Sequence, residues 1–287
     1  MPAREGARLT VFGLVVDSVT VEVTRALREA GVRSLLMKGP LLAELYRGEA
    51  RPYADTDLLV APGSAAASAG VLGSLGFHQS ERDKDFPKPL AGHAWRRPDG
   101  SVVDLHRSLP LVSADPAEVW TAVSEGSVST TLGGVEVETV GPDATALLAA
   151  LHPLHHGMEE WKPIRDLQAA LDHLPGPDWE AAARLAARLG ALPALAAGLR
   201  LVPEGAILAD ELSLPTEITP ELALLAGGEN PVALGLDRLA GAPGARARAG
   251  LLARALLPTP AAMRNWHALA RRGRPGLAAA YLLRPAW

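Results

Sequence analysis

A chain of 287 residues without cysteine, 48% hydrophobic yet only 4% aromatic, carries a formal charge of −4 and has a pI near 6.1. The missing cysteine excludes disulfides, thiolate zinc sites and cysteine nucleophiles, and nothing asks for an oxidising compartment, so a cytoplasmic location is expected. The mild acidity argues against a chain built mainly to coat nucleic acid, and no window approaches the roughly 20 uninterrupted apolar residues that span a bilayer.

The length suits two lobes, and a core of Ala, Leu and Val favours closely packed helices. Apolar positions from about Arg8 to Ala30 recur at helical spacing, with Gly31 placed as a C-terminal glycine. Asp17 and Glu22 interrupt this segment too early for a signal peptide. VRSLLM (32–37) has strand length and is followed by Lys38, Gly39, Pro40 and the helical LLAELYRG; proline suits a first helical turn. After the loop EARPYAD, TDLLVAP reads as a second strand and the alanine-rich stretch to about residue 77 as a helix. HAWRRPDGSVVDLHRS (93–108) reads as two strands around a Pro-Asp-Gly turn, and TTLGGVEVETV (130–140) as a small hairpin at Gly133-Gly134. These elements predict a mixed sheet of four or five strands flanked by helices. From Gly141 onward strand signals fade, and the chain divides into an α/β unit over 1–140 and a helical unit over 141–287, with no fixed repeat period.

Carboxylates at positions i and i+2 of a strand project from one face, and hard oxygen ligands are what divalent cations require in phosphoryl chemistry. Asp55 and Asp57 fit that pattern at the entry to LLV. Taken alone, such a pair more often caps or solvates a loop. Asp104 strengthens the reading, because an acid among Val102, Val103 and Leu105 needs a reason. It is either a third ligand or base, or the partner of Arg96 or Arg97 at the sheet end. His106 shares the face of Asp104 and would orient it, touch phosphate, or bond to backbone. Lys38-Gly39 at a strand-to-helix junction makes a phosphate cradle or a plain turn with a surface lysine. Arg51 is a phosphate clamp or a loop charge.

LLMKGPLLAELY, RPYADTDLLV and VVDLH, in this order and spacing, resemble the nucleotidyltransferase-like family within the DNA polymerase β-type superfamily. The likeness continues through LLAALHPLHH, WKPIRDLQAAL and DWEAAARLAARLGA, covering roughly residues 30 to 200. It implies an α+β fold: a polymerase β-like mixed sheet flanked by helices, followed by an all-helical C-terminal domain. It also implies two Mg²⁺ ions held by Asp55, Asp57 and Asp104, with Lys38-Gly39 at the phosphate turn; an NTP, ATP being the expected donor, would bind there, with Arg51 and His106 as the further phosphate contacts that the residues themselves offer. Such ions, about 3.5–4 Å apart, would clamp the phosphate being transferred. The sequence departs from better-known members at one point: Pro40 follows Gly39, where those members place Gly-Ser or Gly-Gly.

The expected activity is transfer of a nucleoside monophosphate from an NTP to a hydroxyl on a small molecule, peptide, protein or RNA. The alternatives are a non-catalytic nucleotide- or partner-binding module of the same fold and a kinase-type phosphotransferase. His152, His155 and His156 superficially match zinc spacing, but Pro153 intervenes and no glutamate stands at the general-base position, so packed histidines are favoured. Arg165 and Asp166, adjacent on a helix, point apart; an interlobe salt bridge is favoured over a role in the cleft. From Arg238 to the C-terminus every charged residue is arginine, with Trp266, Tyr281 and Trp287 interleaved. A solvated helix face is the commoner meaning, and RNA or an acidic partner the functional one.

Overall fold

A computed structural model of the chain describes residues 2–47, 50–79, 93–156, 161–226, 239–256 and 267–283, with the single positions 235, 260, 263 and 264. The chain opens with α1 (Pro2–Glu29), then β1 (Ser34–Leu36), the short α2 (Pro40–Glu44), β2 (Thr56–Val60), α3 (Ala65–Ser74) and β3 (His78–Gln79). β4 (His93–Arg96), β5 (Val102–His106), α4 (Pro116–Glu125), β6 (Val128–Leu132) and β7 (Val135–Thr139) complete the α/β part. The helical part comprises α5 (Pro142–His156), α6 (Trp161–His173), α7 (Gly176–Arg188), α8 (Leu192–Leu199), α9 (Pro203–Glu211), α10 (Pro220–Ala226), α11 (Gly244–Leu256) and α12 (Gly273–Leu283).

Local chemistry sets the boundaries. α1 ends where the Val32 N–H reaches back to the Leu27 carbonyl at 2.8 Å and Gly31 takes φ +73°, the wrap a left-handed glycine permits at a helix end. Asp115 caps α4 through its carboxylate, which accepts from the Ala117 N–H at 2.8 Å, and Pro116 fills the first turn. The β4–β5 turn closes with the Gly100 N–H on the Arg97 carbonyl. The Asp99 carboxylate accepts from the Ser101 N–H at 2.9 Å.

The sheet has seven strands in the order β3-β4-β5-β2-β1-β7-β6, more than the four or five expected. Two features account for the difference. A two-residue edge strand at His78–Gln79 is too short to leave a periodic signal, and the β6–β7 hairpin joins the main sheet because β7 runs parallel to β1. β2 pairs antiparallel with β1 and parallel with β5, so the sheet is mixed.

Alternation along the central strands divides their side chains between two apolar layers. Leu36, Leu58, Val60, Val103, Leu105 and Val137 face α1 and α3, packing with Val19, Val23, Leu27 and Leu72. On the other face Leu35, Met37 and Leu59 enter a larger cluster with α5, α7 and α8, in which Trp179 is the bulkiest fully buried side chain. α5 and α8 approach backbone to backbone: a Cβ at Gly198 would stand 2.0 Å from the Ala150 carbonyl oxygen. Met263, Ala270 and Ala280 form a separate small cluster near the C-terminus, with Tyr281 packed against it. Among the described residues, no helix is long and apolar enough to cross a membrane.

Candidate active site

Strand pairing assembles the site. Because β2 and β5 are parallel and in register, Asp57 stands directly opposite Asp104. Because β1 is antiparallel to β2, the chain leaving β1 at Met37 meets the start of β2, and the Met37 N–H donates to the Asp57 carbonyl at 3.1 Å. Lys38 therefore follows one residue beyond that bond, beside both acids. Asp57 has the same parity as Leu59, so its carboxylate lies on the face covered by the helical part. Thr56, of opposite parity, turns to α1 and shares a 2.8 Å hydrogen bond with Thr20.

Asp57 is the centre of the charge network. Its Oδ1 accepts from Lys38 Nζ at 3.2 Å and lies 3.0 Å from His106 Nε2. Burial by itself would raise the Asp57 carboxyl, but Lys38 and His106 outweigh it and hold the group below the usual carboxylate range. Asp104 and Asp55 are pushed the other way, first by burial and then by the charge of Asp57. Asp104 Oδ1 is buried and, among the described residues, has no hydrogen-bond partner. The sequence alternative for Asp104, pairing with an arginine, is not what forms: Arg97 is taken by Glu22 and Asp99.

Asp57, Asp104 and His106 each offer a ligand atom, and these atoms lie within 4.8 Å of one another; among the described residues no other group of three or more His, Asp or Glu does so. Asp55 is not in that group. It precedes β2, whose first residue is Thr56, so the expected placement of both acids on one strand holds for Asp57 alone. Asp55 adjoins the group from the loop, close enough that its charge raises Asp104. His106 shares the face of Asp104 as expected but bonds to Asp57 across the strands. An orphaned, buried carboxylate oxygen beside two further carboxylates is a hard-oxygen donor set that suits a divalent cation.

The Lys38–Gly39 turn has the predicted form. Gly39 adopts φ +63° and Pro40 begins α2, and a Cβ at Gly39 would lie 3.5 Å from Tyr53 Cδ2 and 3.8 Å from the Asp55 carbonyl. Tyr53 is itself tied to α1, its hydroxyl donating to Asp17 at 2.7 Å.

Arg51 serves neither of the roles considered for it. Its guanidinium donates through Nε to Asp166 Oδ1 at 2.6 Å and through Nη2 to Oδ2 at 2.7 Å, while Nη1 reaches the Gly39 carbonyl at 3.3 Å. The pair is sequestered, with side-chain exposures of 2% and 0%. Each of its three nitrogens thus donates to a protein acceptor from a buried position, which is not the setting of an open phosphate clamp. Tyr46 adds a 2.8 Å hydrogen bond to Asp166 Oδ1, and His152 Nδ1 lies 3.6 Å from Oδ2. Asp166 is held well below the carboxylate range; burial opposes this and is overcome by the Arg51 hydrogen bonds. Asp166 thus makes the interlobe salt bridge favoured from the sequence. His152 faces this pair; the side chains of His155 and His156 lie outside the described residues, as do Arg238, Trp266 and Trp287 of the C-terminal arginine stretch.

Sequence reasoning passed over Lys162, one helical turn before Asp166 on α6. It is half-buried, and its charge opposes the rise at Asp55. The available signal was its i, i+4 spacing to Asp166 on the inward face of α6. A cleft of about 310 Å³ bordered by Tyr46, Arg165, Gln168, Asp172, His173 and Glu204 lies on the outer face of that helix and includes none of the cluster carboxylates.

The family described as uncharacterised nucleotidyltransferase matches residues 12–205. No curated protein matches. Among solved structures, the solution structure of the antibiotic-resistance factor ANT(2'')-Ia shares 17% identity at a TM-score of 0.44, covering 64% of this chain and 95% of that one. Lincomycin-bound LnuA, a lincosamide antibiotic adenylyltransferase, shares 13% identity at a TM-score of 0.38, covering 54% and 94%. An antigenic nucleotidyltransferase-like protein from Paracoccidioides brasiliensis shares 17% identity at a TM-score of 0.37, covering 63% and 91%.

Proposed function

The chain belongs to the uncharacterised nucleotidyltransferase family, and from that membership we propose that this transferase moves a nucleoside monophosphate from a nucleoside triphosphate, ATP being the expected donor, to a hydroxyl acceptor with the help of magnesium. The observation that carries the proposal is Asp104 Oδ1, buried opposite Asp57 with no hydrogen-bond partner among the described residues. An acid so placed costs stability unless something cationic or protic completes it.

Asp57, Asp104 and Asp55 are the residues that would hold magnesium, which when bound supplies Lewis-acid polarisation of the transferring phosphate and neutralisation of the departing pyrophosphate. The protein groups divide the remaining work. His106 fixes the rotamer of Asp57 through the 3.0 Å contact. Lys38, beside the Gly39 turn, exchanges its contact with Asp57 for a phosphate oxygen. The acceptor hydroxyl attacks the α-phosphorus, the bond to the β-phosphate oxygen breaks, and pyrophosphate leaves. Asp104 is the carboxylate on β5 that would take the acceptor proton. In this reading residues 1–140 are the α/β unit that supplies the carboxylates, and the helical unit assigned to 141–287 contributes Asp166.

Labelled donor tests the reaction type. Incubated with Mg²⁺, a panel of hydroxyl-bearing small molecules, peptides and RNA, and ATP labelled at the α or γ position, the protein is expected to transfer only α-label. Asp57→Asn is expected to abolish that transfer with an unchanged circular dichroism spectrum. Transfer of γ-label would make the protein a kinase, and nucleotide binding without transfer would make it a binding module; either outcome overturns the proposal.

A further inference from the structure

Lys162 has no role in the account so far, and its setting is unusual for a lysine. It lies half-buried in the first turn of α6, four residues before the fully buried Asp166, and therefore on the same face. That face is pinned to the α/β part, since Asp166 is held by Arg51 and Tyr46, and Arg51 also reaches the Gly39 carbonyl. α6 thus carries Lys162 on the face that Asp166 turns to the α/β part, near enough for the charges of Asp55 and Asp57 to act on it. Among the described residues no carboxylate stands within salt-bridge distance of it, whereas Lys38 has Asp57 at 3.2 Å. Burial, and then the charge of Arg51, lower the Lys162 ammonium, while Asp166, Asp55 and Asp57 oppose this.

A half-buried ammonium beside an acid cluster but contacting none of it is placed for an anion that enters with the cation those acids attract. We propose that Lys162 is a second phosphate-binding cation, gripping the donor's triphosphate from the helical part while Lys38 and the Gly39 turn grip it from the sheet. This rests on the nucleotidyltransferase reading of the same site. It makes the donor site a joint product of the two parts, with the Arg51–Asp166 pair setting the span between the two lysines. It also bears on Pro40: a lysine from α6 supplies the contact that a serine at the turn would otherwise make.

The effect of charge on metal and on phosphate has opposite sign, and that separates a binding role from a structural one. Calorimetric titration of the full chain with Mg-ATP and with inorganic tripolyphosphate is expected to show Lys162→Ala weakened roughly tenfold or more, as for loss of a charge-assisted contact. Lys162→Arg should stay within a few-fold of wild type. Mn²⁺ alone should bind Lys162→Ala as tightly as wild type or more tightly, because a competing cation has gone. Gln168→Ala, on the exposed face of α6, should behave as wild type throughout. Wild-type Mg-ATP affinity in Lys162→Ala, or an equal weakening of Mn²⁺ alone, overturns the role of Lys162 and leaves the wider reading standing. Failure of the wild-type protein to bind Mg-ATP overturns both.

Discussion

At the scale of single residues, the site is a set of charges whose stabilities conflict. Asp57 is content without a ligand because Lys38 and His106 complete it; Asp104 is not, since burial and the neighbouring Asp57 both disfavour its charge. Removing that charge should therefore separate stability from function. Asp104→Asn is expected to unfold at the wild-type melting temperature or above it at pH 7, measured without metal, while losing transfer activity. The pH dependence follows the same sign. A carboxyl raised in the folded state binds more protons there than in the unfolded chain, so stability rises as pH falls through its folded value toward the ordinary value near 3.9. Thermal melts between neutral pH and about pH 4 should show this gain from Asp104 in the wild-type protein and not in the variant. A lower melting temperature in the variant at pH 7 would mean that the charge is stabilising and that the site is not poised for a cation.

Among the elements, a buried ion pair joins the sheet to the helical part beside the apolar core they share. Arg51, in the loop that leads into β2, and Asp166, in the middle of α6, hold the sheet and the helical part in register. Buried pairs of this kind often contribute little net stability compared with apolar replacements, yet losing one partner is costly. Asp166→Ala leaves the Arg51 guanidinium buried without an anion and is expected to cost about 3–5 kcal/mol in urea unfolding. Arg51→Met with Asp166→Leu should cost less than either single change. Because Asp166 is depressed in the folded state, its contribution is complete above the unfolded carboxyl value of about 3.9 and is lost as pH falls through and below it. Acid titration should therefore destabilise the wild-type protein more steeply below about pH 4 than the double variant. Equal acid slopes would show that the pair carries no linked proton.

Over the whole molecule, sequence texture and packing follow different lines. The texture changes near residue 140, where strands give way to helices. The larger core runs through that point: Leu35, Met37, Leu59 and Val140 share one cluster with Leu147, Leu151, Trp179 and Leu195. A fragment ending at residue 140 would expose the carboxylate face of the sheet, and is expected to show loose tertiary structure with dye-accessible apolar surface by near-ultraviolet circular dichroism and fluorescence. A cooperative melt from that fragment would show instead that the sheet is stable without α5. The same face carries Asp57 and Asp104, so the layer that completes the core is also the one that closes the site.

The acids, the glycine turn and most of the order of elements were legible in the sequence, because each depends on neighbours within a few residues; β3 and α4 were not read there. Gly31 marks a helix end, Lys38-Gly39 a strand-to-helix junction, Pro40 a first helical turn, and Asp104 stands out as an acid in an apolar strand. Register and partnership were not legible, since they depend on strands and helices far apart along the chain. Only the parallel pairing of β2 with β5 sets Asp57 against Asp104, leaves Asp55 to approach from the loop, and turns His106 to Asp57. Arg51 looked like any loop arginine until α6 brought Asp166 to it across 115 residues. Lys162 offered only its i, i+4 spacing to Asp166, because its meaning lies in which face of α6 is pinned down. Local chemistry determined what the chain carries; long-range packing decided which charges meet.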